Sequence, residues 1–313
     1  MSLEPAVGFA LVTYRDTEMV CRLLATLNRA FGDPPVSIHH DSRQSKLDLS
    51  AFGGNVRLVG TARRTGWGTM QTALAMAETI SHLMSRSDAP RWFYLVTGHC
   101  YPLVTGDEAR GFLDSSPYDL YMEQSPFYPG GVDNSPRYEE WCERYIYPQL
   151  RYPFPIRHGR IGMRTHILAR SGKGSPFGEA YPCRSGSTYF TGNFAVAEAI
   201  EAGLADDRLL RWFAKRPVVD EAFVQTILGN TPGLRISNDN LRFIKWPDLR
   251  LEPNEEKPKT LTMADAPEIA RSGAHFARKF LPKRSDELIA WIDRERLAGR
   301  RCERTPASMS RMI

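Results

Sequence analysis

Cysteine is scarce in this chain of 313 residues, and the pattern of its five copies excludes two common kinds of site. No C-x-x-C pair is present, so nothing indicates the paired thiolates of a structural zinc site. Their number is odd and their spacing wide, which argues against a disulfide framework. The five are Cys21, Cys100, Cys142, Cys183 and Cys302.

Long apolar runs are also missing. No stretch approaches the roughly 20 residues that a membrane-spanning helix requires, so we expect no transmembrane segment. Residues 1–5 provide neither a basic region nor an apolar core, and we expect no secretory signal. Together with the cysteine pattern, these absences predict a cytoplasmic protein.

Neither sign of charge dominates, since 41 Lys and Arg face 36 Asp and Glu, for a net charge of +5. No basic stripe or nucleic-acid-binding motif accompanies this mild excess, so we expect no nucleic-acid partner. Hydrophobic residues make up 42% of the chain and charged residues 25%. That composition supplies a large core and excludes wholesale disorder.

The usual metal-binding motifs are absent as well. There is no H-E-x-x-H and no D-x-D in the sequence. His39 and His40 are adjacent in a predicted strand, where neighbouring side chains point to opposite faces, so they cannot share a metal ion.

The first 125 residues alternate strand and helix signals. Short apolar runs predict buried strands, and apolar residues at spacings of three and four predict helices between them. This alternation implies an α/β fold with a mostly parallel sheet covered on both faces. Thr105, with Glu108 three residues later, predicts a capping box. The predicted strands are 8–14, 36–40, 56–59, 92–96 and 119–122.

The rest of the chain is less regular. Residues 126–187 are rich in Pro, Gly, Arg and Tyr, and predict a long ordered insertion with aromatic anchors. Regular patterns return near Thr188. They predict helices around 194–204 and 220–229, a strand at 242–246, a last helix from Asp286 to Leu297, and a basic, solvated tail.

Two phosphate-binding patterns fail in detail. Gly66 and Gly68 lie between a strand and a helix, as in a dinucleotide fingerprint, but Gln71 replaces the third glycine. The run Gly172–Ser175 resembles a phosphate loop, but Ile167 stands where its first glycine belongs. A Rossmann-like enzyme that uses a dinucleotide is therefore kept only as a minor alternative.

A series of motifs, in order along the chain, resembles the core-2/I-branching β-1,6-N-acetylglucosaminyltransferase family, which includes the peptide O-xylosyltransferases. The two most specific are Arg242–Trp246, similar to an R-F/Y-x-x-W strand, and Phe276–Phe280, similar to F-A-x-K-F. The resemblance covers about residues 8–281. The weaker motifs are F-A-L-V-T-Y at 9–14, I-H-H-D at 38–41, W-G-T-M-Q at 67–71, F-Y-L-V-T-G and Y-P-L within 93–103, G-S-T-Y-F at 186–190, and D-E ahead of Thr226.

The resemblance implies a GT-A type fold, in which a Rossmann-like nucleotide half is joined to an acceptor half. We accordingly divide the chain into a nucleotide-sugar-binding half at 1–125, an acceptor-binding and catalytic half at 126–285, and a C-terminal helix with a basic tail at 286–313. The implied activity is inverting transfer from a UDP-sugar to a carbohydrate hydroxyl, with GlcNAc favoured and xylose next. Family members work without a metal, which agrees with the missing D-x-D, so we expect no cofactor.

The resemblance assigns Glu221 as the general base that takes the acceptor proton. Asp220 beside it is expected to orient a sugar hydroxyl or to cap a helix. The competing interpretation is that both carboxylates simply begin a helix, where negative charge is favoured.

Lys279, inside F-A-x-K-F, resembles the lysine that contacts the diphosphate, whereas a lone lysine is otherwise a solvated charge. Lys259 corresponds to the family's second basic contact, and Lys257 competes for that role. Two cations then do electrostatically what a divalent metal does elsewhere.

Acceptor-binding residues are expected in two places. Trp246 resembles an acceptor-stacking aromatic, with burial in the core as its alternative. Glu123, Arg144 and Tyr145 lie where the family has acceptor contacts. Glu140 replaces a basic acceptor contact there, so we expect a different acceptor.

Asp41 ends a predicted strand and is expected near the uridine, because ligands gather beyond the carboxyl ends of parallel strands. We expect the Trp67 side chain to be buried in the core and not to contact a ligand. Two departures from the family stand out: Cys100 replaces the Asp of G-x-D-x-P, and Lys257 replaces the His that precedes Pro258 and Lys259. They leave a second function open, that of a non-catalytic glycan- or nucleotide-sugar-binding relative.

Overall fold

The computed structural model describes residues 6–60, 63–131, 136–156, 160–248 and 255–298. The basic tail and Cys302 lie outside these residues. Its strands are β1 (Val7–Thr13), β2 (Val36–His40), β3 (Val56–Leu58), β4 (Trp92–Thr97), β5 (Cys100–Pro102), β6 (Leu120–Phe127), β7 (Gln149–Ile156), β8 (Arg160–Ile167), β9 (Cys183–Asn193), β10 (Ile236–Ser237), β11 (Arg242–Ile244) and β12 (Phe276–Arg278).

Nine α-helices are formed within the described residues. They are α1 (Thr17–Phe31), α2 (Met70–Met84), α3 (Gly106–Asp114), α4 (Pro136–Trp141), α5 (Phe194–Leu204), α6 (Asp207–Phe213), α7 (Phe223–Gly229), α8 (Ala266–Arg271) and α9 (Asp286–Ile292). A π-helical turn, Asp293–Leu297, extends the last of them. None of the described helices has the length and apolar character needed to cross a membrane.

A seven-stranded sheet in the order β10-β6-β9-β4-β1-β2-β3 organises the chain. Its strands run parallel except for β9, which pairs antiparallel with both β4 and β6. The predicted α/β fold class with a mostly parallel sheet is confirmed.

The side chains of β1 show why helices must cover both faces of this sheet. Phe9 and Leu11 face a core cluster that includes Leu24 of α1. Ala10 and Val12 face the opposite cluster, which holds residues of α2, α5 and α7. All of these side chains are buried, as expected of a parallel sheet, where successive residues alternate between faces.

A second sheet, β11-β12-β5, connects the carboxyl-terminal part to the main sheet. β5 follows β4 directly and pairs antiparallel with β12, with Arg278 opposite Cys100. Behind it, Tyr101 and Phe280 pack with Ile289 of α9 in a third core cluster. The last helix is thus held by the body of the protein.

Local signals gave accurate predictions, and irregular regions did not. The capping box of Thr105 and Glu108 is present at the start of α3. Within 126–187, where no strands are predicted, the structure has the β7–β8 hairpin and the start of β9. β6 crosses the proposed boundary at residue 125, and β9 from beyond that boundary lies between β6 and β4, so one sheet is built from both proposed halves.

Candidate active site

The carboxyl ends of β1, β2 and β4 form the edge of the sheet at which open α/β folds bind ligands. These strands end at Thr13, His40 and Thr97. Because β12 runs antiparallel to β5, its own carboxyl end also reaches this edge. Lys279, the residue after β12, is therefore brought to the edge by the topology.

Asp41 follows β2 at this edge, as predicted, but its carboxylate is already engaged. It is fully buried and accepts hydrogen bonds from Arg43 Nε at 2.7 Å, Gln44 Nε2 at 3.0 Å and the Thr65 amide at 2.9 Å. Burial opposes ionisation, but these donors outweigh it and hold the pKa of Asp41 well below its ordinary value. Asp41 thus fixes the loop that ends at α2, and a uridine contact through Asp41 stays a prediction.

The end of that loop, just before α2, contacts the turn that carries the candidate base. Gly68 accepts a hydrogen bond from the Val219 amide at 3.0 Å. Gly68 has φ +70, and a Cβ added there would lie 3.0 Å from Val218 Cα, so this close approach requires glycine. Trp67 is 77% exposed, which corrects the expectation that it lies in the core. Its backbone belongs to the turn and not to α2, so its side chain is left in solvent.

Glu221 ends a short 3₁₀ turn, Val219–Glu221, whose first flanking residue is strained. Val218 adopts φ 54, a left-handed conformation that costs a β-branched residue energy. Tyr145 holds Val218 in this conformation, because its hydroxyl donates a hydrogen bond to the Val218 carbonyl at 2.8 Å.

Tyr145 itself is fully buried, and burial raises the pKa of its hydroxyl. The structure therefore gives Tyr145 a positioning role behind Glu221. The expected acceptor contact through this residue finds no support in that placement, because no part of the side chain reaches solvent.

The Glu221 carboxylate is partly sheltered and yet reachable, with 36% of its side chain exposed. Burial and the neighbouring Asp220 raise its pKa to about 7, although Arg144 and Arg137 act in the opposite direction. Arg144 Nη1 lies 3.8 Å from Glu221 Oε2. A carboxylate with a pKa near neutrality can accept a proton and release it again.

Asp220 differs from an ordinary helix cap. Its Oδ1 is buried and has no hydrogen-bond partner among the described residues. Burial raises the pKa of Asp220 to about 6. An unpartnered carboxylate oxygen beside Glu221 suits a hydrogen bond from a sugar hydroxyl, because such an atom is costly to leave unsatisfied.

Lys279 and Lys259 are brought together by main-chain contacts. The Lys259 amide donates to the Lys245 carbonyl, and the Leu261 amide donates to the Lys279 carbonyl, both at 2.9 Å. Residues 259–261 thus run between the ends of β11 and β12. Lys279 is largely buried, and its Nζ lies 3.1 Å from Glu256 Oε2, so it is not the freely solvated charge of the competing interpretation.

Trp246 lies two residues beyond β11, and its side chain is 61% exposed. This placement rejects burial in the core and leaves stacking against a sugar as its predicted role. Lys245, just before it, pairs with Asp265 at 2.8 Å and Glu268 at 2.7 Å. Those pairs hold the backbone from which the indole projects.

The other acceptor candidates lie on two different elements. Glu123 is exposed at a β-bulge in β6 and accepts a hydrogen bond from Asn240 Nδ2 at 3.3 Å. Arg144 forms an ion pair with Glu140, in addition to its contact with Glu221. The residue that replaces the family's basic contact therefore neutralises part of the charge on Arg144.

Sequence reasoning missed Arg278 as a member of this edge. Its guanidinium lies over the Tyr189 ring at 4.5 Å and donates to Thr97 Oγ1 at 3.4 Å. Cys100 is buried, and its sulfur accepts a hydrogen bond from the Thr97 amide at 3.5 Å. The cysteine that replaces the family's Asp thus faces Arg278, and only the pairing of β5 with β12 makes this visible.

Among the described residues, no group of three or more His, Cys, Asp or Glu side chains is placed to hold a metal ion. Metal independence itself stays a prediction. A surface cavity of about 490 Å³, lined in part by Asp119, Ala195 and Thr231, opens at the amino end of β6. It lies at the opposite edge of the sheet and contains none of the predicted site residues.

The solved structures to which this chain is similar include two whose sequences are very distant. A glycosyltransferase involved in the glycosylation of the major capsid of PBCV-1 is 9% identical, with 92% of this chain and 99% of that chain covered and a TM-score of 0.38. The 4-diphosphocytidyl-2C-methyl-D-erythritol synthase from Anaerococcus prevotii is 10% identical, with 65% and 77% covered and a TM-score of 0.31. Likeness at this level does not bear on function. A search of curated proteins finds no match.

A family model described as Core-2/I-Branching enzyme matches residues 7–270. The match begins with β1 and ends within α8, and it includes Asp41, Glu221 and Lys259. Lys279 lies beyond it. Because the match spans most of the chain, the predicted family is confirmed: this glycosyltransferase belongs to the core-2/I-branching enzyme family.

Proposed function

We propose that this glycosyltransferase is inverting and metal-independent, and that it moves a sugar from a UDP-sugar to a carbohydrate hydroxyl. GlcNAc is the favoured sugar and xylose the next. The observation that carries the proposal is the Glu221 carboxylate, which is held on a strained turn, partly exposed, with its pKa raised to about 7.

The proposed reaction uses one proton transfer and one displacement. The Glu221 carboxylate takes the proton of the acceptor hydroxyl as the acceptor oxygen bonds to the anomeric carbon. The bond from that carbon to the diphosphate oxygen breaks on the opposite face, which inverts the configuration. UDP leaves with the electron pair, and Lys279 and Lys259 offset the charge that develops on it.

Asp220 and Trp246 have supporting roles in this proposal. The unpartnered Asp220 Oδ1 accepts a hydrogen bond from a sugar hydroxyl, and the exposed Trp246 indole packs against a sugar ring. Arg144 keeps the Glu221 carboxylate oriented through its contact at 3.8 Å. Each role aligns reacting groups, which lowers the entropic part of the barrier.

One observation favours a second candidate function, a non-catalytic relative that binds glycans or nucleotide sugars. Cys100 stands where the family has an acidic residue, and it leaves Arg278 facing a thiol. A binding protein would retain UDP-sugar affinity and release no UDP. Measuring UDP release from several UDP-sugars, with and without simple sugar acceptors, separates the two candidates.

The same assay tests the role of metal. Since cationic side chains are assigned to the leaving group, UDP release is expected to persist in EDTA and to gain little from added Mn²⁺. Loss of activity in EDTA, with recovery when a metal is restored, would contradict the proposed mechanism.

Among the donors in this assay, UDP-GlcNAc is expected to give the fastest UDP release and UDP-xylose the next.

The pH dependence follows from the ionisation of the base. Glu221 acts only when ionised, and its pKa lies near 7 because of burial and Asp220. The ratio kcat/KM, which reports the pKa of the free enzyme, is therefore expected to rise with pH and to reach half its plateau at about pH 7. Since Glu221 and Asp220 titrate together, the midpoint belongs to the pair. A flat profile from about pH 5 to 8 would exclude a base of this kind.

A further inference from the structure

Three donors converge on one carboxylate oxygen beside the proposed diphosphate site. Glu256 Oε2 lies 3.1 Å from Lys279 Nζ and 3.2 Å from an Arg284 guanidinium nitrogen, Nη1. Thr260 Oγ1 donates a hydrogen bond to the same oxygen at 2.5 Å. An ammonium, a guanidinium and a hydroxyl thus surround a single anionic oxygen.

The fold holds these donors in place. Lys279 follows β12, and Arg284 lies in the turn that leads to α9. Ser285 fixes that turn, because its hydroxyl donates to the Leu261 carbonyl at 2.7 Å and accepts from the Leu281 amide at 3.1 Å. The convergence therefore results from buried hydrogen bonds and not only from the reach of long side chains.

The same donor set is well suited to an oxygen of a diphosphate. Charge-assisted hydrogen bonds from ammonium and guanidinium groups are the strong contacts that proteins make to phosphate. Glu256 supplies one negative charge at this point, whereas a diphosphate brings more charge and several oxygens. The side chains of Glu256 and Arg284 are 39% and 51% exposed, so the carboxylate has room to move aside.

We propose that Arg284 is a further cation of the diphosphate site, and that Glu256 occupies the position of a diphosphate oxygen and must be displaced when UDP binds. This inference rests on the proposed function and deepens it. Arg284 then contributes directly to affinity for the leaving group, and Glu256 weakens that affinity by competition.

A purely structural ion pair makes a different prediction. Removing either partner of a structural pair would change stability and leave affinity for anions unaltered, and exposed pairs contribute little to stability in any case. Competition instead predicts opposite effects on affinity from the two partners. The sign of the change therefore distinguishes the two interpretations.

The test is calorimetric titration of the full chain with UDP, inorganic pyrophosphate and uridine. Arg284→Gln is expected to weaken UDP and pyrophosphate binding roughly tenfold. Glu256→Gln is expected to tighten both severalfold, and uridine binding is expected to be unaffected by either change. Arg294→Gln, which removes an exposed arginine paired with Glu295, serves as the control. Arg284→Lys is expected to restore part of the affinity and covers the case in which the glutamine variant does not fold.

The outcomes separate this inference from the proposed function. UDP binding that is unchanged in Arg284→Gln and not tightened in Glu256→Gln overturns the inference alone. A second outcome is that the wild type binds pyrophosphate but neither UDP nor any UDP-sugar, with weaker pyrophosphate binding in Arg284→Gln and tighter binding in Glu256→Gln. That result overturns the proposed donor and supports the inference about Arg284 and Glu256. A chain that binds neither probe overturns both.

Discussion

Glu221→Gln is expected to bind UDP and the donor nearly as well as the wild type while transfer falls by at least about a hundredfold. An acceptor hydroxyl is a weak nucleophile while it keeps its proton. Glutamine preserves the size and shape of the side chain, but it cannot accept that proton. The measurement is the rate of sugar transfer at saturating donor, together with UDP affinity by calorimetry.

Glu198→Gln is the matched control, because Glu198 is an exposed carboxylate on α5 at the far edge of the sheet. It is expected to retain full activity. The folded state raises the pKa of Glu221, so the stability from its protonated form is lost as pH rises toward 7. Glu221→Gln should therefore unfold at no lower temperature than the wild type at neutral pH. A fully active glutamine variant would exclude Glu221 as the base.

The sequence predicts those parts of the fold that depend on local pattern. β1 and β4 are recognisable because a strand buried on both faces needs a continuous apolar run. The N-terminus of α3 is recognisable because its capping residues, Thr105 and Glu108, are only three positions apart. The β7–β8 hairpin is not predicted because its strands, 149–156 and 160–167, contain two prolines and a glycine and lack clear alternation of apolar residues.

Burial of single aromatic residues depended on contacts far apart in sequence. Trp67 fits the apolar face of α2, but its exposure follows from a turn that packs against Val218, about 150 positions away. Tyr145 lies in a stretch that resembles the family's acceptor-binding region, yet its hydroxyl donates a hydrogen bond to the carbonyl of Val218. No local pattern contains either contact.

The electrostatics of the site also depend on residues that are far apart in sequence. Glu221 and Lys279 were found through resemblance, because each lies in a recognisable motif. Their environments were not predictable, since Arg144 is 77 positions from Glu221 and Glu256 is 23 positions from Lys279. Only the folded chain brings these charges together, and they determine which carboxylate titrates near neutrality and which cation is already paired.

Lys279→Ala is expected to weaken UDP binding and to slow transfer by roughly 30- to 1000-fold, which corresponds to about 2–4 kcal/mol at the transition state. The ammonium lies where negative charge grows as the donor bond breaks, and little solvent is present there to replace it, because the Lys279 side chain is only 17% exposed. Lys215→Ala, at an exposed lysine in the segment between α6 and the Val219–Glu221 turn, is the charge-matched control and should bind UDP as well as the wild type does. Steady-state transfer rates and UDP titrations measure both effects. If UDP affinity and rate were unchanged in Lys279→Ala, the leaving-group role would pass to Lys259 and Arg284, and Lys279 would serve only to pair with Glu256.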